Sequence, residues 1–457
     1  MRKTYKLLVC SLFGCFLFFI MQGIVQAEEF RYPLDTDGEL VIVIDPGHGG
    51  SNLGADYNGF LEKEMNIIVA NAMCEELAKY DGITVYMTHT DTETDMSIQE
   101  RADFTASVNA DFLFCLHFNM SPGNILFGSE VWVSAFGEEN REGYRFACVQ
   151  MEVMEEMGLF IRGVKTRFNE KGTDYYGILR FCEEYDIPAA LIEHCHVDHE
   201  TDVVFCDSKE DLIAFGVADA TAVAKYFGLK SEFLGVDYSD YPLEKLSPGT
   251  LYVQADTSDP DICMIEKDYV DEERKVVGIR VSAYDYDTPM LYYAYSVDGG
   301  ETYTPYLPWP DTDVMERYSP DTFTFEIEVP YGVSPIVVVR AVNQYDRYTE
   351  SNVLSGLPVF SYTPDEIVSD NNVSGNNSFG TGDAVNSVSG NNDVSDNGSY
   401  TGFKPPEKPV EEEEGFSVLH FLYLCLGIAG TLFVALLISN AVVSAKKRQK
   451  RRSRNRK

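Results

Sequence analysis

The fold class predicted from the sequence is α/β for residues 38–229, a twisted mixed sheet flanked by helices, and all-β for residues 231–360. Two observations predict the first domain: strand-like and helix-like segments alternate along it, and polar side chains follow three of the strand-like segments. A change to short alternating apolar runs after Leu229 predicts the second domain. Near the C-terminus, a long uncharged segment over residues 416–445 predicts a transmembrane helix.

The strand-like segments of the α/β domain are short, apolar and rich in β-branched or aromatic residues. They cover residues 41–44, 84–88, 112–116, 130–134 and 189–192. Apolar residues recur at helical spacing over residues 62–80, 98–109, 139–157 and 209–227. This alternation predicts helices on both faces of one sheet, and about 190 residues suffice for a single hydrophobic core.

The stretch from Val41 to Asn66 combines a strand, a glycine-rich turn and a helix. Its apolar run ends at Asp45, as expected of a strand buried on both faces, and the glycines that follow let the backbone turn tightly around His48. The helix predicted from Glu62 turns that side chain towards the core, whereas Glu64 faces outwards. His48 and Glu62 could share a metal ion, or they could be a hydrogen-bonded loop residue and a helix cap.

Polar residues stand at the carboxyl ends of three predicted strands: His48, His117 and Glu193. Ligand sites of open α/β sheets form at this edge, and Glu62 begins a helix there. We therefore predict that the four side chains converge on one site that binds a metal or transfers protons.

Four motifs follow one another along the chain: Asp45-Pro-Gly-His-Gly-Gly50, Glu62-Lys63 with Asn66, Leu116-His-Phe-Asn119 and Ala190-Leu-Ile-Glu193. With these motifs, the segment from Val41 to Phe227 resembles the zinc-dependent N-acetylmuramoyl-L-alanine amidases of the Amidase_3 type. The resemblance extends to Gly128-Ser-Glu-Val-Trp132, Tyr176-Gly-Ile-Leu-Arg180 and a closing alanine-rich helix.

The resemblance implies that His48, Glu62 and His117 are the ligands of a Zn²⁺ ion and that Glu193 is the catalytic acid. Two neutral imidazoles and one carboxylate leave Zn²⁺ with an open position, where it polarises a carbonyl and activates water. Glu193 would take the proton of the water and pass it to the leaving amine. The bond implied is the amide between N-acetylmuramic acid and the L-alanine of the peptidoglycan stem peptide.

Two places depart from the family pattern. After Glu193 the chain continues as His194-Cys-His-Val-Asp-His199, where many members have Thr-Gly-Phe. His194 could tune Glu193 or contact substrate. A second metal at His194, His196 and His199 is disfavoured, because neighbouring side chains of an extended segment point apart. His89 stands where an arginine is frequent, and we expect it at the surface.

Contacts with substrate are predicted for Asn119, Arg162, Arg167, Arg180 and His194. The three arginines belong to a basic cluster, with Lys165 and Lys171, in an otherwise acidic chain. Stem peptides carry carboxylates, which arginine binds through its planar fork. A solvated surface is the alternative interpretation of such a cluster.

The all-β domain is predicted from alternating runs over residues 276–283, 291–295, 322–329 and 335–341. Their spacing favours an antiparallel sandwich of immunoglobulin or fibronectin-III type. Aromatic residues such as Tyr292 and Trp309 could form a glycan-binding surface, but packing in the core is the favoured use. Residues 361–415 are rich in Asn, Ser, Gly and Asp, which predicts a disordered stalk.

Both ends of the chain carry targeting signals. Residues 1–27 combine basic residues, an apolar run and a small-residue end, as in a secretory signal peptide. Residues 416–445 contain no charged side chain and can cross the lipid bilayer once, which leaves the basic tail, 446–457, in the cytoplasm. We therefore expect the α/β domain on the outside of the cell membrane, and the family resemblance implies that the cell is bacterial.

Charge and cysteine content exclude some classes of function. The chain has 36 Lys and Arg residues against 73 Asp and Glu, and twelve of the 36 lie in the signal and the tail. Such an acidic exterior disfavours nucleic acid as a partner. The seven cysteines from Cys74 to Cys263 include no Cys-x-x-Cys pair, so we expect buried thiols.

The sequence therefore predicts a membrane-anchored cell-wall hydrolase that binds Zn²⁺ and peptidoglycan. Two alternatives stay open: a zinc peptidase that cleaves another cell-wall amide, and a catalytically inactive wall-binding scaffold. The intact set of His48, Glu62, His117 and Glu193 argues against the scaffold, because a binding module needs no general acid.

Overall fold

The computed structural model describes residues 40–247 and 249–361. The predicted signal peptide (1–27), membrane span (416–445) and basic tail (446–457) lie outside these ranges, as does the predicted stalk (361–415) apart from its first residue. Within the two described ranges, no helix has the length and apolar character that crossing a membrane requires.

Residues 40–237, which comprise the α/β domain and a short two-stranded hairpin after it, contain ten strands and six helices. The strands are β1 (Leu40–Pro46), β2 (Asp56–Tyr57), β3 (Phe60–Leu61), β4 (Ile83–Met87), β5 (Phe112–Asn119), β6 (Ser129–Val133), β7 (Ile161–Lys165), β8 (Ala189–His196), β9 (Lys230–Ser231) and β10 (Val236–Asp237). The helices are α1 (Glu62–Leu77), α2 (Ile98–Ser107), α3 (Gly137–Glu156), α4 (Gly177–Glu183), α5 (Glu200–Val203) and α6 (Lys209–Phe227).

Six of these strands form one sheet in the order β4-β1-β5-β8-β6-β7. Strand β1 is parallel to β4 and β5, and β5 is parallel to β8, whereas β6 is antiparallel to β8 and parallel to β7. The predicted mixed sheet is thereby confirmed. The carboxyl ends of β1, β5 and β8 share one edge with the amino ends of β6 and β7. We call this the upper edge, and the opposite one the lower edge.

Helices cover both faces of the sheet, as predicted. On one face, α1, α3 and α6 pack on a core that includes Phe112, Phe114 and Phe146, all fully buried. On the other face, α2 and α4 pack on a core that includes Val43 and Leu113. Each face of the sheet is therefore covered by apolar side chains.

Strand β7 and helix α4 were not predicted from the sequence. Two residues of β7, Arg162 and Lys165, are buried and bond to the carboxylate of Glu130. A strand that carries two cations and a glycine lacks the apolar signature of a buried strand, so its place depends on tertiary ion pairs. Helix α4 has seven residues, too few for a clear helical period.

Residues 262–350 form two antiparallel sheets, which confirms a β-rich domain. Their strands are β11 (Ile262–Asp271), β12 (Val276–Tyr284), β13 (Met290–Ser296), β14 (Leu307–Pro308), β15 (Thr322–Glu328), β16 (Val338–Asn343) and β17 (Tyr348–Glu350). One sheet has the order β11-β12-β15, and the other has the order β14-β13-β16-β17. The immunoglobulin or fibronectin-III type of this domain stays a prediction.

The two sheets of the β-rich domain share a hydrophobic core. Ile279 and Ile327 of the first sheet lie in the same buried cluster as Val339 of the second. Tyr292 and Trp309 are also buried, so these two aromatic side chains serve packing and not an open glycan-binding surface. All seven cysteines of the described residues are free thiols, and only Cys74 and Cys148 are partly exposed.

A core substitution tests this packing. The ring of Phe146 is fully buried between Phe114 and Tyr226, with ring centroids 4.7 and 5.7 Å away. Phe146→Ala should lower the free energy of unfolding by about 3–5 kcal/mol, because it removes a buried ring and leaves a cavity. Urea unfolding followed by circular dichroism measures the loss. Phe233→Ala is the control, since that ring is 81% exposed; an equal loss in the control would contradict the assigned core.

Candidate metal centre

Three side chains of metal-ligand type meet at the upper edge: His48 after β1, Glu62 at the start of α1, and His117 near the end of β5. Nε2 of His48 lies 3.0 Å from Oε2 of Glu62, and Nδ1 of His117 lies 2.9 Å from Oε1 of the same glutamate. One ligand atom from each residue lies within 4.8 Å of the others, and no second group of this kind occurs in the described part of the chain. The convergence of these three side chains is thus present in the fold.

Side chains from two helices hold the turn around His48. Arg101 of α2 donates from Nη1 to the carbonyl of Pro46 at 2.8 Å and from Nη2 to the carbonyl of His48 at 2.6 Å. Nδ2 of Asn66, in α1, donates to the carbonyl of Gly47 at 3.1 Å. His48 has a φ of 69°, a value that is uncommon for a residue with a side chain, and the hydrogen bonds from Arg101 and Asn66 hold the backbone there.

Two glycines leave room for the ligand side chains. A Cβ atom at Gly47 would overlap the ring of His117, and a Cβ atom at Gly54 would overlap the carboxylate of Glu62 and the ring of His48. Gly54 also has a φ of 72°, in the left-handed region. The glycines of this stretch therefore serve the close approach of the three ligands as well as the turn.

Glu62 is held by the backbone on both carboxylate oxygens. Oε2 accepts from the N–H of Ala55 at 2.7 Å, and Oε1 accepts from the N–H of Phe118 at 3.0 Å. Burial alone would raise the pKa of this carboxyl, but the two imidazoles beside it hold the pKa well below its ordinary value. Glu62 is therefore an ionised group fixed in place for a cation. Glu64 is exposed, as predicted.

The donor set fits a Zn²⁺ ion, because imidazole and carboxylate groups are its usual ligands at catalytic sites. Nδ1 of His48 lies 3.0 Å from Oδ1 of Asn52, an acceptor for the Nδ1 proton. That hydrogen bond assigns the lone pair to Nε2, the atom that faces Glu62 and would bind a metal. Three protein ligands leave one position of a tetrahedral centre for water or substrate.

Asp45 joins the end of β1 to helix α2 beneath the turn. Its Oδ1 accepts from Nη1 of Arg101 at 2.7 Å and from the hydroxyl of Thr88 at 2.5 Å. His89 belongs to the same cluster, because its Nδ1 lies 3.1 Å from that hydroxyl and the residue is buried. The prediction that His89 lies at the surface is therefore wrong.

Glu193 lies on β8 beside His117, its partner in the register of β5 and β8. Its Oε2 is buried and has no hydrogen-bond partner within the described residues. Burial raises the pKa of this carboxyl well above its ordinary value, and the negative charges of Glu62 and Glu130 raise it further. A buried carboxyl with a free oxygen beside three ligand-type side chains has the properties of a group that transfers protons.

Glu130 of β6 is a buried acid that the sequence did not single out. It is the partner of Glu193 across β6 and β8. Its two oxygens accept four hydrogen bonds, from Nδ2 of Asn119, Nε1 of Trp132, Nε of Arg162 and Nζ of Lys165. Burial raises the pKa of Glu130, but the two cations outweigh burial and hold it below its usual range. A lone acid in an apolar strand is the signal that could have revealed it, because a buried charge requires partners.

The three histidines of the segment 194–199 have separate partners. Nε2 of His194 lies 2.9 Å from Oδ2 of Asp219 in α6, and its Nδ1 lies 2.9 Å from the carbonyl oxygen of His117. His194 is thus on the face of β8 that packs against α6, away from Glu193. Nδ1 of His196 lies 3.2 Å from the carbonyl oxygen of Gly128, and Nδ1 of His199 accepts from the N–H of Thr201 at 3.2 Å.

The predicted substrate contacts fall in different places. Asn119 lies at the upper edge and bonds to Glu130, whereas Arg162 is buried and paired with the same carboxylate. Arg167 follows the carboxyl end of β7, which is at the lower edge. Nη1 of Arg180 donates to the carbonyl of Asp174. The carboxylate of Asp174 accepts from the N–H of Ala135, two residues after the end of β6 and thus at the lower edge. The basic cluster is therefore not one surface at the upper edge.

A mixed α/β sheet brings two imidazoles and a carboxylate to one edge, with the half-buried Glu193 beside them, an arrangement chemically suited to metal-assisted hydrolysis. Residues 42–225 match the family model described as N-acetylmuramoyl-L-alanine amidase, Amidase_3. This segment of the chain belongs to that family.

Two curated relatives are N-acetylmuramoyl-L-alanine amidases. CwlM of Bacillus licheniformis is 29% identical over 189 residues, which cover 41% of this chain and 69% of CwlM. LytC of Bacillus subtilis is 29% identical over 161 residues, which cover 35% of this chain but only 30% of LytC. Among solved structures, Cwp6 from Clostridium difficile has a TM-score of 0.38 at 28% identity and covers 41% of this chain and 29% of Cwp6.

Metal analysis tests the ligand set. The purified protein should contain about one Zn²⁺ per chain, and Glu62→Gln should lose most of it, because an amide oxygen lacks the charge of the carboxylate. Emission spectroscopy of dialysed protein measures the metal content. Glu64→Gln is the matched control, the same change on the same helix at an exposed position, and it should keep the parent content. Full metal content in Glu62→Gln would remove Glu62 from the ligand set.

Proposed function

We propose that the chain is a zinc-dependent N-acetylmuramoyl-L-alanine amidase that hydrolyses peptidoglycan. The substrate bond would be the amide between the lactyl group of N-acetylmuramic acid and the L-alanine of the stem peptide. The observation that carries this proposal is the meeting of His48, Glu62 and His117 beside Glu193, within the segment that belongs to the amidase family.

His48, Glu62 and His117 would hold the metal. When bound there, Zn²⁺ supplies Lewis-acid chemistry, polarising the scissile carbonyl and making water a better nucleophile. The chain's own contribution is rigid placement, since Glu62 is anchored by two backbone N–H groups and His48 by Asn52 and the bonded turn. Fixed ligands and dipoles need no rearrangement during the reaction.

Glu193 would serve as general base and then as general acid. It would accept the proton of the attacking water on its carboxylate and donate that proton to the amine of L-alanine as the amide bond breaks. Its raised pKa suits the acid step, because the carboxyl then keeps a proton at higher pH than an exposed glutamate.

Two other functions compete with this proposal. A zinc peptidase would use the same ligands and Glu193 on a different cell-wall amide, so only the product separates it from the amidase. An inactive wall-binding scaffold would have no use for a buried carboxylate oxygen without a hydrogen-bond partner, because such an atom is costly to maintain. The unpaired Oε2 of Glu193 therefore favours an enzyme.

We also propose that the enzyme acts outside the cell and is anchored in the membrane by one span over residues 416–445. The support is the sequence, which has a signal-like segment over residues 1–27 and nine basic residues over 446–457, just after the span. A lipid bilayer would then be a partner of the chain in addition to peptidoglycan.

The first experiment separates catalysis from binding. Glu193→Gln keeps the shape of the side chain but cannot accept a proton, so turnover should fall by roughly 10²- to 10⁴-fold. Zinc content and pull-down on insoluble peptidoglycan should match the parent. Mass spectrometry of the soluble products should find stem peptides with a free L-alanine amino terminus. Peptides that begin at another residue would indicate the peptidase, and a parent that binds the wall but releases nothing would indicate the scaffold.

The second experiment tests topology. Protease added to intact, wall-stripped cells should remove an epitope placed near residue 30 and should spare one placed after Lys457, because the bilayer shields the cytoplasmic tail. Immunoblots of both epitopes before and after treatment make the comparison. Digestion of the C-terminal epitope in unbroken cells would reverse the proposed orientation.

A further inference from the structure

A loop of the β-rich domain, residues 344–347 between β16 and β17, docks against strand β7 of the α/β domain. Both carboxylate oxygens of Asp346 accept from Nη2 of Arg162, at 3.0 and 2.7 Å. Nε2 of Gln344 donates to the carbonyls of Arg162 at 3.2 Å and Val164 at 3.3 Å. Both domains belong to one compact unit, so the loop is a built-in neighbour of β7.

Tyr292 of β13 makes a second contact with the same arginine. Its hydroxyl accepts from Nη1 of Arg162 at 2.9 Å and donates to the carbonyl of Phe127. With Nε bonded to Glu130 and Nη2 bonded to Asp346, each nitrogen of the guanidinium has an acceptor. Two of the three acceptors come from the β-rich domain.

This pairing matters because Arg162 is only 1% exposed. A buried charge that loses a partner is strongly destabilised, so the geometry of Arg162 depends on acceptors from both domains. Its third acceptor, Glu130, bonds through Oε1 to Nδ2 of Asn119 at 3.1 Å and is the cross-strand partner of Glu193. A continuous set of charged hydrogen bonds thus links Asp346 to the upper edge.

We propose that Asp346 and Tyr292 are positioning residues for the amidase reaction. They hold Arg162, which in turn holds Glu130, so that Asn119 and Glu193 keep their places beside the three ligand residues. This inference rests on the proposed function. The β-rich domain is then part of the scaffold of the active site and not an independent binding module.

Two conservative substitutions in the full-length protein test the proposal. Asp346→Asn removes one charge and Tyr292→Phe removes one hydroxyl, and both keep the shape of the side chain. Each should lower kcat about 10- to 100-fold, because a shift near 1 Å at a reacting group costs that much. KM should stay within about twofold of the parent value, since the proposal has both residues act through Arg162 and not on substrate. Zinc content and circular dichroism should match the parent.

Two further variants separate positioning from general damage. Asp346→Glu keeps a carboxylate and should retain more activity than Asp346→Asn. Glu350→Gln is the matched control, because Glu350 is an acid of the same domain that pairs with Arg340 at 2.9 Å on the surface. Its kcat should equal that of the parent.

The route through Arg162 is tested by a double-mutant cycle. Arg162→Lys keeps the charge but removes the fork that reaches several acceptors. If Asp346 acts through Arg162, Asp346→Asn should lower kcat far less in the Arg162→Lys background than in the parent. Parent-like kcat in both Asp346→Asn and Tyr292→Phe, or equal losses in the two backgrounds, would overturn this inference alone. A parent that releases no stem peptide would overturn the proposed function, and the inference with it.

Discussion

The position of one buried carboxylate, that of Glu62, determines the arrangement of the upper edge. Its oxygens accept from the backbone N–H groups of Ala55, in the loop, and Phe118, in β5. They also lie beside the imidazoles of His48, from the loop, and His117, from β5. One side chain at the start of α1 therefore ties together the turn, the helix and the central strand. The N-terminal end of a helix favours negative charge, which adds to this placement. A shift of any of these segments would move a ligand.

The buried charges around this carboxylate have two kinds of role. Asp45 with Arg101, and Glu130 with Arg162 and Lys165, are paired through short hydrogen bonds and give the edge its rigidity. Glu193 differs, because its Oε2 has no partner in the described part of the chain. Paired groups stabilise a geometry, whereas an unpaired buried acid is poised to exchange a proton. This contrast supports the proposal that Glu193 transfers protons while the paired groups maintain the geometry around it.

Local patterns in the sequence were enough to predict much of this arrangement. The apolar run before Asp45, the glycines around His48 and the inward position of Glu62 follow from strand, turn and helix geometry. Strand β7 escaped prediction because its place depends on ion pairs and not on apolar periodicity. The docking of Asp346 onto Arg162 joins residues 184 positions apart, and no local rule encodes such a pair. The burial of His89 was missed because its neighbour Thr88 bonds to Asp45, 43 positions away, only in the folded cluster.

Strand β7 is the last strand of its sheet, and such a strand presents unpaired carbonyls that can recruit a strand from another molecule. The amide of Gln344 occupies two of these carbonyls, at Arg162 and Val164, and so takes the place of a neighbouring strand. The β-rich domain thereby covers part of an edge that would otherwise be open to strand pairing with a second molecule. A mutation that loosens the loop between β16 and β17 would expose the carbonyls of Arg162 and Val164 to pairing with another strand. Evolution of this chain would then be constrained by solubility as well as by activity.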